Sequence, residues 1–210
     1  MRYLKRSDLL VKVEDVLFTQ DEKDKILNTL LNDGVIAFVT DTVWGLGCLP
    51  NSEKAVKKIY EIKNREAVKP LILMSNEMYN LFPYVKPIPM PAQRIIKEHF
   101  PGALTMVLDK SSMTPDYVTS GMKTVGIRVP DNAVFAEICK IIPNHVLATT
   151  SANISHEPPA LSYEEAVCCV GSKVGYIVRD YGFKSLGTAS TVAGFVDGEI
   201  KVFRQGAVIL

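Results

Sequence analysis

Hydroxyl, amide and basic side chains recur in three separated segments of this sequence, and together they suit the binding of anions. Residues 40–47 read Thr-Asp-Thr-Val-Trp-Gly-Leu-Gly, residues 63–65 read Lys-Asn-Arg with Lys-Pro at 69–70, and residues 149–153 read Thr-Thr-Ser-Ala-Asn. A bidentate arginine with point-charge lysines is a common means of holding phosphate or carboxylate. Because none of the segments is apolar enough to be core, we interpret them as element ends that build one anion site.

The spacing of Lys63 and Arg65 depends on where the preceding helix ends. Residues two apart point to different faces of a continuing helix but share one side of an extended segment. A helix that ends at Asn64 or just before it would let both cations reach one anion. The alternative that the residues leave open is a solvated basic helix end, which complements the helix dipole.

Ser151 and Asn153 offer a hydroxyl and an amide on one side of an extended loop. Such groups bind a nucleotide or an amino acid without adding charge, although an ordinary turn or cap uses the same pair. Gly45 and Gly47 would let backbone amides approach a substrate closely, and a plain glycine turn is the alternative. The absence of a third glycine and of a GxxxxGK[ST] segment argues against dinucleotide and P-loop folds.

Helix-like and strand-like segments alternate along the chain, which predicts an α/β fold. Gly34 is the expected stop of the first helix, Ser52 and either Asp131 or Asn132 are expected caps, and Ser162 opens a capping-box pattern. Asp-Gly at 197–198 predicts a hairpin, so the sheet is expected to be mixed. The predicted helices cover 21–32, a segment after 52, 91–99 and segments after 132 and 162, and the predicted strands cover 35–39, 71–74, 104–108, 124–129, 146–149, 190–195 and 200–204.

Composition limits the classes of protein that this chain can represent. With 210 residues, 47% of them hydrophobic, and a net charge of +1, we expect a single domain over residues 1–210 rather than a basic nucleic-acid coat. No apolar run approaches the ~20 residues that cross a bilayer. The four cysteines form no CxxC pair and follow no signal segment, so we expect a reduced, cytoplasmic protein with no directly assigned metal ligand. Cys168 and Cys169 are interpreted as packed thiols on an apolar helix.

The order of the motifs resembles that of the threonylcarbamoyl-AMP synthase family, also called YrdC-like. Its KxR and SxN signature matches Lys63 to Arg65 and Ser151 to Asn153. The further matching segments are TDTVWGLGC at 40–48, KPLIL at 69–73, PGALT at 101–105, TVGIRVP at 124–130, STVAG at 190–194 and FRQG at 203–206. The resemblance covers residues 20–206. It implies a YrdC-like three-layer fold, in which a twisted mixed sheet flanked by helices carries a concave basic cleft.

The resemblance also implies a nucleotidyltransferase reaction. L-threonine, bicarbonate and ATP, with Mg²⁺ bridging the ATP phosphates, would give threonylcarbamoyl-AMP and pyrophosphate. The product would supply N6-threonylcarbamoyladenosine in tRNA, either through direct tRNA contact or through downstream transfer proteins. No membrane partner is expected, and the sequence does not determine the oligomeric state.

Site residues follow from the same resemblance, position by position. The expected catalytic pair is Lys63 and Arg65. The expected ATP contacts are Arg65, Lys69, Thr124, Ser151, Asn153 and Arg204. The expected L-threonine contacts are Thr42, Arg128, Thr149 and Ser190.

Two departures from the family pattern keep other functions open. Met74 stands where some relatives carry a histidine against threonine, and Trp44 replaces the commoner tyrosine. One alternative is therefore the adenylation of another carbamoylated amino acid. A second alternative is a protein of the same fold that binds tRNA or ribosomal RNA without turning over ATP; it predicts salt-sensitive RNA binding.

Overall fold

A computed structural model describes residues 17–64, 69–196 and 198–210. The strands are β1 Ile36–Phe38, β2 Gly45–Cys48, β3 Ile72–Ser75, β4 Leu104–Asp109, β5 Thr124–Arg128, β6 Val146–Ser151, β7 Tyr176–Ile177, β8 Thr191–Val196 and β9 Glu199–Arg204. The α-helices are α1 Gln20–Leu31, α2 Glu53–Ile62, α3 Met90–His99, α4 Asp116–Thr119, α5 Ala133–Ile141 and α6 Tyr163–Val170. Two 3₁₀ helices cover Met78–Tyr84 and Pro143–His145. No helix in these described ranges is long and apolar enough to cross a membrane.

The nine strands of the described residues form one sheet in the order β7-β1-β2-β6-β3-β5-β4-β8-β9. Parallel pairs join β1 to β7, β3 to β5 and β4 to β8, and the other neighbours are antiparallel. The prediction of a mixed sheet is therefore confirmed. The hairpin is confirmed as well, since β8 and β9 pair through Val196 and Glu199, with Gly198 at a φ of 84°; Asp197 lies outside the described residues.

Helix starts follow the predicted caps. The Ser52 hydroxyl accepts from the Ala55 amide at 3.0 Å, and the Asn132 side chain accepts from the Phe135 amide at 3.0 Å. Asn132 rather than Asp131 is thus the cap of α5. At α6 only half of the predicted capping box forms. Ser162 accepts from the Glu165 amide, but the Glu165 carboxylate accepts from the amide of Leu161, one residue before the cap.

The end of α1 differs from the prediction. The helix ends at Leu31, and Asp33 rather than the expected stop residue Gly34 has a left-handed backbone, with a φ of 57°. A Cβ at Gly34 would lie 2.4 Å from the Thr29 carbonyl oxygen, so a glycine is needed here because the backbone of α1 passes too close for a side chain. Ile26 and Leu30 are buried, whereas Leu31 is 58% exposed.

Strand β2 was not predicted, because its glycines read as a turn. A Cβ at Gly47 would lie 2.8 Å from Cε1 of Phe38, and a Cβ at Gly45 would lie 3.0 Å from Cε2 of the same ring. The glycines therefore admit the Phe38 ring over the strand. Phe38 packs in turn on Phe135 of α5, with ring centroids 5.1 Å apart. This packing covers one end of a sheet face and leaves the rest of that face open.

Candidate active site

The open part of this sheet face forms a cavity of about 710 Å³. Ile72 of β3 lies directly opposite Gly126 of β5 and Thr149 of β6, so these residues share one face. Gly45 and Ser151 are opposed in the same way at the next strand pair. Seven neighbouring strands thus contribute residues to a common floor, in the order β2, β6, β3, β5, β4, β8 and β9. The described residues that line the cavity include no Asp or Glu.

Seven of the residues expected from the sequence meet in this cavity, although they are distant along the chain. They are Thr42, Thr124, Arg128, Thr149, Ser151, Ser190 and Arg204. Lys63, Lys69 and Asn153 do not line it. Arg65 lies outside the described residues. The fold therefore brings together all of the residues expected to contact L-threonine, and three of those expected to contact ATP.

Arg128 is a buried cation on the cavity floor, with 4% of its surface exposed. Its Nε donates to the Gly102 carbonyl at 2.9 Å, Nη1 donates to the Thr42 hydroxyl at 2.7 Å, and Nη2 donates to the Asp41 carboxylate. Burial lowers the pKa of Arg128, Asp41 raises it, and the nearby Arg204 lowers it. A guanidinium has five N–H donors, so these contacts leave one on each terminal nitrogen. One carboxylate bound in bidentate fashion needs two such donors.

The turn at residues 40–43 fixes the orientation of the Thr42 hydroxyl. Thr40 donates its hydroxyl proton to the Val43 carbonyl at 2.6 Å, and the two threonine hydroxyls lie 3.1 Å apart. Because Thr40 has used its only proton, Thr42 is the donor in that pair. Thr42 also accepts from Arg128, which leaves its oxygen with one lone pair. A ligand would therefore meet Thr42 as an acceptor, for example of an amine N–H.

Lys63 is placed differently from the expectation that it reaches an anion together with Arg65. Helix α2 ends at Ile62, before Asn64, as a shared anion site for Lys63 and Arg65 would require. Lys63 is the C-cap of this helix, but only 2% of its surface is exposed. Its ammonium donates to the Ser151 carbonyl at 2.6 Å, to the Asn153 side-chain oxygen at 2.7 Å and to the Asn153 carbonyl at 3.0 Å. These acceptors match the three donors of an ammonium group. Lys63 thus supports the loop from beneath instead of facing the cavity.

The Asn153 amide is also engaged within the loop. Its Oδ1 accepts from the Ser151 hydroxyl at 2.7 Å, and its Nδ2 donates to the Glu157 carbonyl at 2.6 Å. Ser151 remains at the cavity wall, whereas Asn153 holds the loop that carries it. The sequence pattern grouped these two side chains as equal ligands. The geometry separates them into one wall residue and one support.

Ser190 and Arg204 form the opposite wall. The Ser190 hydroxyl lies 2.8 Å from that of Thr105, and Arg204 donates to the Ser190 carbonyl through Nη2 at 2.8 Å and Nε at 3.2 Å. Thr149, across the floor, donates to the Ile72 carbonyl at 3.3 Å. Lys69 is exposed and its carbonyl accepts from the Tyr60 hydroxyl, while the next residue, Pro70, reaches the cavity.

Several cavity residues were not selected as ligands from the sequence. Trp44 is fully buried, and its indole nitrogen has no hydrogen-bond partner among the described residues. Met74, noted as a departure, is indeed a cavity residue and is 4% exposed. Pro159 and Phe203 also contribute to the lining. Asp41, which supports the site from outside the lining, was not selected either, because its partner Arg128 is 87 positions away. Its position between two threonines of the first motif was the available signal.

A resident metal site has little support in the described ranges, where no three His, Cys, Asp or Glu residues cluster. The Asp41 carboxylate is already paired with Arg128. The charged groups at the cavity are cationic, and they suit anionic ligands.

A sequence profile of the Sua5/YciO/YrdC family, described as "Telomere recombination", matches residues 28–206. The chain belongs to this family. It is 33% identical to the threonylcarbamoyl-AMP synthase of Pyrococcus abyssi over 192 residues, which cover 91% of this chain and 56% of that protein. It is also 33% identical to a putative threonylcarbamoyl-AMP synthase of Methanocaldococcus jannaschii over 205 residues, covering 95% and 93% of the two chains.

Among solved structures of the Sua5/YciO/YrdC family, the crystal structure of P. abyssi Sua5 complexed with L-threonine is similar at a TM-score of 0.81 and 31% identity. The match covers 88% of this chain and 54% of that one. The expected YrdC-like fold is confirmed. This chain spans little more than half the length of the Pyrococcus protein.

Proposed function

We propose that this protein is an L-threonylcarbamoyladenylate synthase, a nucleotidyltransferase that converts L-threonine, bicarbonate and ATP into threonylcarbamoyl-AMP and pyrophosphate. The observation that carries the proposal is the buried Arg128 guanidinium on the cavity floor, anchored by three contacts and retaining two N–H donors. The proposal is also supported by the relatives named threonylcarbamoyl-AMP synthase, which match 91% and 95% of this chain. The product would serve the N6-threonylcarbamoyladenosine modification of tRNA, through downstream transfer proteins or through direct contact with tRNA.

The amino acid fits the Arg128 side of the cavity. Its α-carboxylate would take the two remaining Arg128 donors, and its amine would donate to the free lone pair of Thr42. Thr149 and Ser190, at the edges of the same floor, supply hydroxyls for the side chain of the substrate. A hydroxyl-bearing amino acid would add a hydrogen bond to these groups, which an apolar one of the same size would not do.

ATP fits the other part of the cavity. Ser151 and Thr124 would contact the nucleotide there, Arg204 would reach it from beside Ser190, and Lys69 and Arg65 would contact the phosphates from the segment after α2. Lys63 and Asn153 would act by holding the Ser151 loop in place. Because the described residues offer no carboxylate cluster, we assign Mg²⁺ to the ATP phosphates and not to a protein site.

The chemistry requires two anions to be brought together. Threonine and bicarbonate give N-carboxythreonine with loss of water. Its carboxylate oxygen then attacks the α-phosphorus of ATP, the bond from that phosphorus to the bridging oxygen breaks, and pyrophosphate leaves with the electron pair. Fixed cations and rigid positioning lower the barrier without a covalent enzyme intermediate. We therefore assign no general base.

The test is pyrophosphate release from ATP and bicarbonate with L-threonine, with L-serine or with no amino acid, together with detection of threonylcarbamoyl-AMP by mass spectrometry. Threonine-dependent release that is lost in Arg65→Ala, weakened in Lys63→Ala through the Ser151 loop, and retained in the surface variant Lys123→Ala, is the expected result. Absence of release with every amino acid, accompanied by salt-sensitive binding of RNA, would overturn the proposal in favour of an RNA-binding protein.

A second candidate keeps the reaction but changes the amino acid. Met74 is buried on the cavity floor directly opposite Arg128 in the strand register, and it offers no hydrogen bond to a substrate hydroxyl. Release that is faster with another amino acid than with L-threonine would favour this candidate. A Met74→His variant that shifts the preference towards threonine would assign the difference to this residue.

A further inference from the structure

A second concavity, of about 920 Å³, lies between the 3₁₀ helix Met78–Tyr84 and α3, and it shares no lining residue with the cleft. We call it the α3 groove. Val85 and Ile96 form its buried floor, with Ile88 half-buried beside them. Phe82 and Met90 stand at its mouth and are 51% and 61% exposed. Single exposed apolar side chains are ordinary on a protein surface, but these two flank one continuous apolar concavity.

The charge around the α3 groove has one sign. Lys86, Arg94 and Lys97 line it and are exposed, and no acidic side chain lines it. None of the three forms an ion pair with any residue that the structure describes, whereas Lys25, Lys57 and Lys140 elsewhere on the surface each pair with a carboxylate three or four residues away. Arg94 and Lys97 are one helical turn apart and share a face of α3. The groove therefore combines an apolar floor with an unneutralised cationic rim.

We propose that the α3 groove binds an acidic amphipathic helix of a partner protein. Apolar side chains at positions i, i+3 or i+4 and i+7 of that helix would enter the groove and cover Phe82 and Met90. Its flanking carboxylates would pair with Lys86, Arg94 and Lys97. Met78 and Met90 supply adaptable contacts, which suit a groove that accepts a helix from outside the chain.

Charge and chemistry favour this occupant over two others. A second copy bound through the same groove by two-fold symmetry would face these three cations with the same three. RNA would require polar side chains to read bases, but the floor is aliphatic. The one uncharged amide in the lining, that of Gln93, already donates to the Ile88 carbonyl at 2.8 Å.

The experiment uses two fluorescein-labelled helical peptides of about five turns. They carry leucine at the same i, i+3, i+4, i+7 positions and differ only in having glutamate or lysine elsewhere. Fluorescence anisotropy with the full chain should show binding of the glutamate peptide that weakens in high salt. Phe82→Ala should weaken this binding about tenfold or more. Met113→Ala should not weaken it, because Met113 is 64% exposed but lies outside the groove.

A charge swap provides the decisive comparison. Arg94→Glu/Lys97→Glu should lose the glutamate peptide and gain the lysine peptide, and Lys123→Glu should do neither. Equal binding of both peptides to the wild-type protein, no binding, or indifference to Phe82→Ala would overturn the proposal. Binding of a tRNA transcript that is lost in the double variant, or a dimer that Phe82→Ala dissociates, would assign the groove to the other occupants. Pyrophosphate release should remain unchanged in Phe82→Ala, so this inference and the proposed activity fail separately.

Discussion

Asp41 is a carboxylate that supports the cleft without lining it. It pairs with Arg128, and their side chains are 12% and 5% exposed. A buried cation that loses its partner carries an uncompensated desolvation cost, so the acid both stabilises and orients the guanidinium. Thr42 and the Gly102 carbonyl fix the other two edges of the group. The direction of the two remaining N–H donors therefore depends on Asp41.

Asp41→Asn should raise the KM for L-threonine by about tenfold and change kcat less, because it loosens the group proposed to bind the substrate carboxylate in the ground state. Steady-state pyrophosphate release measures both constants. Asp24→Asn, at an exposed acid on α1, is the matched control. An unchanged KM would remove Asp41 from the positioning of Arg128, and a fall in kcat alone would indicate a role in the chemical step.

Lys63→Met should act through the Ser151 loop. The substitution leaves two carbonyls and the Asn153 side-chain oxygen without their ammonium donor, which should lower the free energy of unfolding by about 2–4 kcal/mol. It should also raise the KM for ATP and expose the loop around Glu157 to protease. Urea unfolding, kinetics and limited proteolysis measure the three effects. Loss of kcat with an intact, protease-resistant loop would instead place the ammonium against the substrate.

At the residue scale, the sequence predicts the types of the site residues better than their directions. The pattern identified Arg128 and Thr42, yet Asp41 and Arg128 are 87 positions apart and no local rule pairs them. Lys63 was expected to be a catalytic residue, but α2 ends at Ile62 and the Lys63 side chain contacts a loop 88 positions away. Side-chain direction depends on tertiary contacts that the linear spacing does not specify.

Strand β5 shapes the floor of the cleft through a missing side chain. Gly126 lies between Thr124 and Arg128 on the cavity face. A Cβ there would lie 2.7 Å from Cγ2 of Ile72 and 3.2 Å from Cγ2 of Thr105. The glycine thus lets β3, β4 and β5 approach one another. It also leaves space in the cavity between Thr124, an expected ATP contact, and Arg128, an expected L-threonine contact.

Gly126→Ala should overpack this floor, lowering the free energy of unfolding by about 1–3 kcal/mol and raising the KM values for both ATP and threonine. Gly182→Ala is a useful contrast. No atom lies within 4 Å of an added Cβ there, but the φ of 82° makes the backbone itself unfavourable for alanine, so it should lose stability without loss of substrate binding. Unaltered KM values in Gly126→Ala would show that the floor does not contact the substrates.

At the element scale, the predicted helices and the predicted strands are all present, whereas β2, β7 and the short helix α4 were not predicted. Side chains at Ser52 and Asn132 cap their helices through local hydrogen bonds, which a sequence pattern can reveal. Strand β2 has two glycines, and only the Phe38 ring packed over them explains why they form a strand. The local signal for β2 therefore favoured a turn, and the tertiary packing overrode it.

At the scale of the whole molecule, two concave surfaces differ in their chemistry. The cleft is cationic, with its polar groups fixed by hydrogen bonds, whereas the α3 groove is apolar with an unpaired cationic rim. The net charge of +1 does not reveal these two cationic surfaces, because acidic residues elsewhere on the protein balance the basic ones in the total. A single domain over residues 1–210 stays a prediction.

The four cysteines report on the integrity of the whole fold. Cys48 in β2 and Cys139 in α5 are buried, Cys169 is half-buried, and Cys168 is exposed, which corrects the prediction that both thiols of α6 are packed. Burial raises the pKa of the Cys48 thiol from 9.0 to about 12, and it raises that of Cys139 as well. The thiolate is the reactive form, so both buried groups should be inert while the protein is folded.

Iodoacetamide at pH 8 should therefore label Cys168 first, Cys169 more slowly, and Cys48 and Cys139 only at the rate of global unfolding. Peptide mass spectrometry across a urea series measures the four rates, and Cys168→Ser isolates the remaining three. Between about pH 9 and 12 the folded state should hold protons that the unfolded state releases, so the free energy of unfolding should fall as pH rises through that range. Labelling of Cys48 as fast as Cys168 in the absence of urea would mean that the centre of the sheet opens without global unfolding, and that the cleft floor built on it is not rigid.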